Sequence, residues 1–163
     1  LSPIGGFLIG MSTALIYGYR QKLPFRRSLD ALTPGLAFFM ISIGVSHLLS
    51  GNAYGSPSRV PWAMYVWSDY RHPTQLYEIF LALAIFTLVL PKVLPAHAPG
   101  IRFAQFVSLS ALARVFLEAF RGDSVLWLDG YRAAQVMGLL VLIICIVLLR
   151  QWERIEPNEA SIW

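Results

Sequence analysis

The sequence predicts an all-α, polytopic integral membrane protein of about five transmembrane helices with an external, aromatic-rich loop. Three features lead there. Of 163 residues, 56% are hydrophobic and 13% charged, where a soluble domain carries about 25% charged residues. Mean hydropathy is +0.59. The apolar residues fall in runs close to the ~20 residues that a helix needs to cross a hydrocarbon core. No stretch alternates as barrel strands do, and no internal repeat interrupts the runs. Residues 1–163 therefore read as a single membrane domain.

The first span is expected near 4–19; its Gly5, Gly6 and Gly10 would let a neighbouring helix approach closely. No basic segment precedes it, so a signal peptide is not expected. The loop from Arg20 to Arg27 is the most basic connection, which assigns it to the cytoplasm. The second span, near 29–49, has Pro34 close to its start, where a missing N–H costs nothing. The loop from Gly51 to Thr74 is then external. Its Trp62, Tyr65, Trp67 and Tyr70 suit the headgroup layer. The third span, near 75–90, is stopped by Pro91 and Pro95. A basic connection carrying His97, expected to be solvated, leads to the fourth span, near 103–120. An external loop follows with Asp123 and Asp129 balancing its arginines. The fifth span, near 133–149, is almost purely aliphatic, and the polar tail 150–163 is cytoplasmic.

The formal charge of +4 does not indicate nucleic acid, because the basic residues sit in short loops where topology accounts for them. Cys145 is the only cysteine and lies in an apolar run, so it reads as core filler. Three scattered histidines lack metal-ligand spacing. No metal and no cofactor are expected.

This topology brings His47, Glu78, Arg114, Glu118 and Arg121 to the outer side. Ionisable groups within membrane helices mark sites more often than accidents. Arg114, Glu118 and Arg121 are spaced by four and three, which predicts one helix face. An outward cavity holding an anionic lipid headgroup is one reading, since a guanidinium fork matches phosphate oxygens. Blander readings stand beside it: Arg114–Glu118 as a structural ion pair, Arg121 as an interfacial anchor, and His47 bonded to a neighbouring helix. His72, beside Pro73, is read as a turn cap, and the aromatic cluster as an interfacial belt.

The strings Asp30-Ala-Leu-Thr-Pro-Gly-Leu-Ala37, Tyr54-Gly55, Pro61-Trp62, Arg71-His-Pro-Thr-Gln-Leu-Tyr-Glu78 and Arg114-Val-Phe-Leu-Glu-Ala-Phe-Arg121 follow in order, with Ala134-Gln135 opening the last span. Together they resemble the prolipoprotein diacylglyceryl transferase family over nearly the whole chain. The resemblance implies a bacterial plasma-membrane enzyme that moves diacylglycerol from phosphatidylglycerol to a lipobox cysteine on the outer side. It implies that Arg114, Glu118, Arg121, Gln75, Glu78, Tyr54 and Gly55 contact lipid or substrate. His47 and His72 are the candidates for a catalytic group.

The family motif, approximately Gly-Arg-Ile-Gly-Asn-Phe-x-Asn-Gly-Glu-x-Tyr-Gly, is altered here. Its arginine is Gly44, its asparagines are His47 and Ser50, and its glutamate is Asn52. The histidine the family places before its paired glycines is Ile4, and a tyrosine one turn before Arg114 is Ser110. The family usually has about seven spans and a larger outer domain. Three expectations follow: a divergent relative that binds a phosphatidylglycerol-like lipid with chemistry weak, altered or lost; a non-catalytic subunit among other membrane proteins; and an active transferase.

Overall fold

The computed structural model describes residues 3–94, 96, 98–127 and 130–155. The readings of Pro95, His97, Asp129 and the tail tip at 156–163 lie outside the described residues. Five helices account for most of the described chain: α1 (Pro3–Arg20), α2 (Phe25–Ser50), α3 (Thr74–Leu88), α4 (Ile101–Glu118) and α5 (Ala133–Ile155). Two of them, α2 and α5, are long and apolar enough to cross a membrane; α3 is apolar but shorter.

The all-α expectation holds for the bulk of the chain, with two small hairpins added. Strands β1 (Met64–Val66) and β2 (Asp69–Arg71) pair antiparallel, as do β3 (Leu126–Trp127) and β4 (Tyr131–Arg132). Tyr65 faces Tyr70 across the first hairpin, with ring centroids 5.4 Å apart. Such aromatic pairs stabilise short ladders.

Helix α2 starts one turn before its expected position, directly after Pro24. Pro34 therefore lies inside the helix, not at its first turn. It withdraws the N–H that the Asp30 carbonyl would have used. The physical cause is that Phe25 to Ser28 are ordinary helix formers and Pro24 supplies the break. At the other end Gly51, at φ 70°, adopts the left-handed cap that glycine accepts without strain. Helix α5 likewise outruns its expected end, continuing through the polar residues to Ile155.

Helix α2 packs on α3 and α4 on α5, with α2–α4 and α3–α4 contacts closing the group. Small residues make this possible. Gly44 lies so close to α3 that an added Cβ would sit 2.9 Å from Ile79 Cγ1, and one on Gly138 would sit 2.8 Å from Val115 Cγ2. Ala37, Ile85, Val89, Phe106 and Ala113 form the core. Where α2 and α4 begin, Asp30 accepts hydrogen bonds from Gly100 N (2.6 Å) and Phe103 N (2.9 Å). A side chain of α2 thus satisfies the orphan donors of α4. Arg102 Nη1 donates to the Val89 carbonyl at 2.9 Å, closing the end of α3.

Helix α1 stands apart. Leu8, Ile9, Leu15, Ile16 and Tyr17 are exposed, and Cβ atoms added at Gly6, Gly10 or Gly18 would meet nothing within 4 Å among the described residues. The close helix approach expected at Gly6 and Gly10 is therefore not made among the described residues of the chain. Its other helices find their small-residue contacts in one another.

Candidate functional site where α2 and α4 end

Helices α2 and α4 end, and α3 and α5 begin, at one end of the molecule. The connecting loops are tied together there through backbone bonds. Ser56 N donates to the Phe120 carbonyl (2.7 Å), Gly122 N to the Tyr54 carbonyl (3.0 Å), and His72 N to the Ser56 carbonyl (3.1 Å). Residues 54–57 thus lie between the end of α4 and strand β2, with Gly55 bridged to Arg121 and Pro57 to Arg71. This close approach requires glycine: a Cβ on Gly55 would overlap the His72 carbonyl oxygen. Arg71 reinforces the clamp, donating to the Val66 and Gly55 carbonyls and lying over the Tyr54 ring at 5.0 Å.

The start of α3 is held by the same loop. Gln75 Nε2 donates to the Asn52 carbonyl (3.0 Å) and Thr74 Oγ1 to the Ala53 carbonyl (2.6 Å), both side chains being buried. That fixes α3 against the end of α2. His47 and Glu78 then meet, with Nδ1 and Oε2 2.7 Å apart. His47 occupies the last turn of α2 and stays partly open, its side chain 30% exposed against 18% for Glu78.

On α4, Arg114 and Glu118 pair as i,i+4 neighbours at 3.4 Å. The two ends differ. The Arg114 side chain is 40% exposed while Glu118 is buried. Glu118 Oε2 has no hydrogen bond among the described residues, although the Arg114 guanidinium is within ion-pair range. Ser110, where the resemblance implies a tyrosine, donates to the Phe106 carbonyl of its own helix at 2.8 Å, with the Met40 sulfur of α2 3.3 Å from the same hydroxyl.

Arg121 departs from expectation. Helix α4 stops at Glu118, and Ala119 N and Phe120 N bond back to Phe116 and Leu117 carbonyls in a tightened turn. Arg121 therefore leaves the helix face predicted for it. Its side chain forks onto Asp123, with Nε–Oδ1 2.8 Å and Nη2–Oδ2 2.7 Å. Burial opposes the Arg121 charge, but Asp123, with Glu118 and Glu78 behind it, outweighs burial and raises its pKa further. Burial likewise pushes the Asp123 carboxyl up, but the hydrogen bonds and charge of Arg121, with a smaller effect from Arg114, hold it below its usual value. The His47–Glu78 hydrogen bond and two ion pairs, Arg114–Glu118 and Arg121–Asp123, thus occupy the same end.

His72 is used differently from a turn cap. Its carbonyl accepts from Thr74 N, but its ring turns to Tyr77, Nδ1 lying 3.4 Å from the hydroxyl. Trp62 Nε1 donates to that hydroxyl at 2.7 Å. Trp62, His72, Tyr77, Phe80, Phe116 and Phe120 line an open groove of about 450 Å³ between α3 and α4. Trp67 bonds the Gly51 carbonyl (2.9 Å), so two tryptophans of the expected belt also brace the site. Sequence reasoning missed Asp123 as a partner, the Asp30 cap and the Trp62–Tyr77–His72 triangle. A short loop with one acid two residues after an arginine was the available signal for the first.

A family model described as prolipoprotein diacylglyceryl transferase matches residues 1–151. The phosphatidylglycerol–prolipoprotein diacylglyceryl transferase of Nostoc sp. is 28% identical over 151 residues, covering 83% of this chain and 53% of that protein. That of Finegoldia magna is 26% identical over 156 residues, covering 94% and 62%. The chain spans about half to three fifths of the length of these curated relatives.

Proposed function

The chain belongs to the prolipoprotein diacylglyceryl transferase family, and from that premise we propose that its outer end binds the headgroup of an anionic phospholipid. Arg114 holds the phosphate and Glu118 accepts from a headgroup hydroxyl. One observation carries this reading: a buried carboxylate oxygen with no hydrogen bond, beside a guanidinium that remains 40% exposed. A purely structural pair would spend both groups on each other, because an unsatisfied buried acceptor is costly. A phosphate with a neighbouring hydroxyl, as in a phosphatidylglycerol headgroup, supplies the missing anion for Arg114 and the missing donor for Glu118. Gln75, Tyr54 and Gly55 act by fixing the loops, and Arg121 by keeping Asp123 from competing for Arg114.

In this reading the protein is a divergent, multi-pass family member of the bacterial plasma membrane with its C-terminus cytoplasmic. Its chemistry is altered, because Gly44 and Ile4 stand where the family motif has charged or titratable groups. A second reading, a subunit of a larger membrane assembly, is favoured by α1, whose Leu8, Ile9, Leu15, Ile16 and Tyr17 are exposed. Mass spectrometry of lipid retained by the purified full chain tests the first. Anionic phospholipid is expected with the native chain and depleted at least ~10-fold with Arg114→Ala, the size of a lost charge-assisted bond. Equal retention by both would overturn it.

A further inference from the structure

We infer that the groove between α3 and α4 is a second, separate lipid site: an aromatic cage for the trimethylammonium headgroup of a phospholipid. Trp62, His72, Tyr77, Phe80, Phe116 and Phe120 line it with Leu81, around a volume of about 450 Å³. Phe116 follows Arg114 by two residues, about 200° round a helix. Ring and guanidinium therefore leave α4 on nearly opposite faces. From the reading above, the inference takes only that this end of α3 and α4 lies at headgroup level. Tyr77 and Phe80, on the first two turns of α3, and Phe116, on the last turn of α4, then lie where headgroups do.

The rings meet edge to face. Phe120 makes T-shaped contacts with His72 (centroids 5.3 Å apart, planes at 67°) and with Tyr77 (6.0 Å, 78°). Phe116 lies 5.2 Å from it at 57°. Rings at such angles form walls, not a stack. Their polar edges are turned on one another. Trp62 Nε1 donates to the Tyr77 hydroxyl at 2.7 Å, and that hydroxyl lies 3.4 Å from His72 Nδ1. What remains for the groove is carbon, and its lining is almost entirely apolar.

Charge selects the occupant. No Lys, Arg, Asp or Glu lines the groove among the described residues, so no formal charge repels or neutralises a cation there. Aromatic faces carry the negative part of the ring quadrupole and attract a cation within about 6 Å of the ring centre. An acyl chain needs no aromatic ring; the exposed face of α5 offers it Leu139, Leu140, Ile143 and Ile144. A primary ammonium would give up its hydrogen bonds to water on entering so apolar a lining, without compensation. A trimethylammonium has no N–H to lose. It presents methyl groups to the rings and keeps its charge, while the open groove leaves the attached phosphate in water.

The test equilibrates the full chain with an equimolar mixture of phosphatidylcholine, phosphatidylethanolamine, phosphatidylglycerol and a synthetic isostere of the choline lipid. In the isostere carbon replaces the headgroup nitrogen, which keeps the shape and removes the positive charge. Mass spectrometry reads what the chain retains. Phe80 and Phe116 are both more than half exposed, so Phe80→Leu with Phe116→Leu removes two rings without opening the core. That double variant is expected to lose the choline lipid about 10-fold, the size of two cation–π contacts, and the isostere less than ~2-fold. Equal losses of the two would overturn the inference, because they would show a groove that holds any apolar body. Undiminished choline lipid in the double variant overturns it too. A native chain that retains phosphatidylglycerol and no choline lipid overturns it and leaves the Arg114 reading standing. Choline lipid kept by Arg114→Ala and lost from the double variant supports it, even where phosphatidylglycerol is retained equally by all and the Arg114 reading fails.

Discussion

The Asp30 carboxylate, on the first turns of α2, accepts a hydrogen bond from Gly100 N at 2.6 Å, 70 residues away. Its other oxygen takes Phe103 N, so one side chain caps a neighbouring helix and fixes where α4 begins. Arg26 lies over the Trp152 ring at 4.6 Å, joining the end of α5 to the same corner. Asp30→Ala should destabilise the chain by ~1–2 kcal/mol, the range for a lost N-cap. Asp30→Asn should cost less, because an amide oxygen still accepts one bond. Denaturant titration in mild detergent measures both.

Gly55→Ala should selectively disturb the end of the molecule that carries the candidate site. The added Cβ would overlap the His72 carbonyl, so residues 54–57 must move away from strand β2. A loss of ~1–3 kcal/mol is expected for forced overpacking. Limited proteolysis should report it as faster cleavage at Arg59 or Arg71 while the helix content seen by circular dichroism is kept.

Arg114 and Glu118 should be separable. Arg114→Ala leaves a buried carboxylate without its cation and should lower stability as well as lipid retention. Adding Glu118→Gln removes that stranded charge. The double variant should regain most of the stability but none of the lipid, measured by thermal unfolding and lipid mass spectrometry side by side.

The Arg121–Asp123 pair gives a pH dependence of defined sign. Asp123 titrates lower in the folded chain than in the unfolded one, so the folded state binds fewer protons. The stability it contributes is complete above the ordinary carboxylate value near ~4. Acidification removes it as pH falls through the lower, folded value. Because the pair is partly exposed, ~1 kcal/mol is the expected size. Asp123→Asn should flatten that acid limb and leave stability at pH 9 lower than native.

Gly44→Arg, which rewrites the position toward the family motif, should not restore a motif function by itself. The backbone there already abuts Ile79, so α2 and α3 would have to part. A stability loss of several kcal/mol, as for a large residue forced into a packed site, is expected. Pairing it with Ile79→Ala should recover part of that loss, and a double-mutant cycle measures the coupling.

The Arg114–Glu118 pair was legible in the sequence, because four residues on a helix fix a neighbour whatever surrounds it. The meeting of His47 with Glu78 was legible only as a shared side of the membrane. Their 2.7 Å contact depends on Gly44 letting α2 against Ile79 and on Gln75 reaching the Asn52 carbonyl. Arg121 was misplaced because spacing alone extended α4 past Glu118, whereas the turn at Ala119 and Phe120 sends it to Asp123.

Composition and apolar run length, by themselves, determined a helical chain of membrane character, since burying backbone in lipid leaves few other solutions. Motif order determined the family. Tertiary packing alone decided which polar groups satisfy one another: the carboxylate on α2 that caps α4, and the glycine that admits a carbonyl. It also left one buried oxygen of Glu118 without a hydrogen bond. Hydrogen bonds form at about 3 Å, and sequence spacing fixes such distances only within a turn or two of one helix.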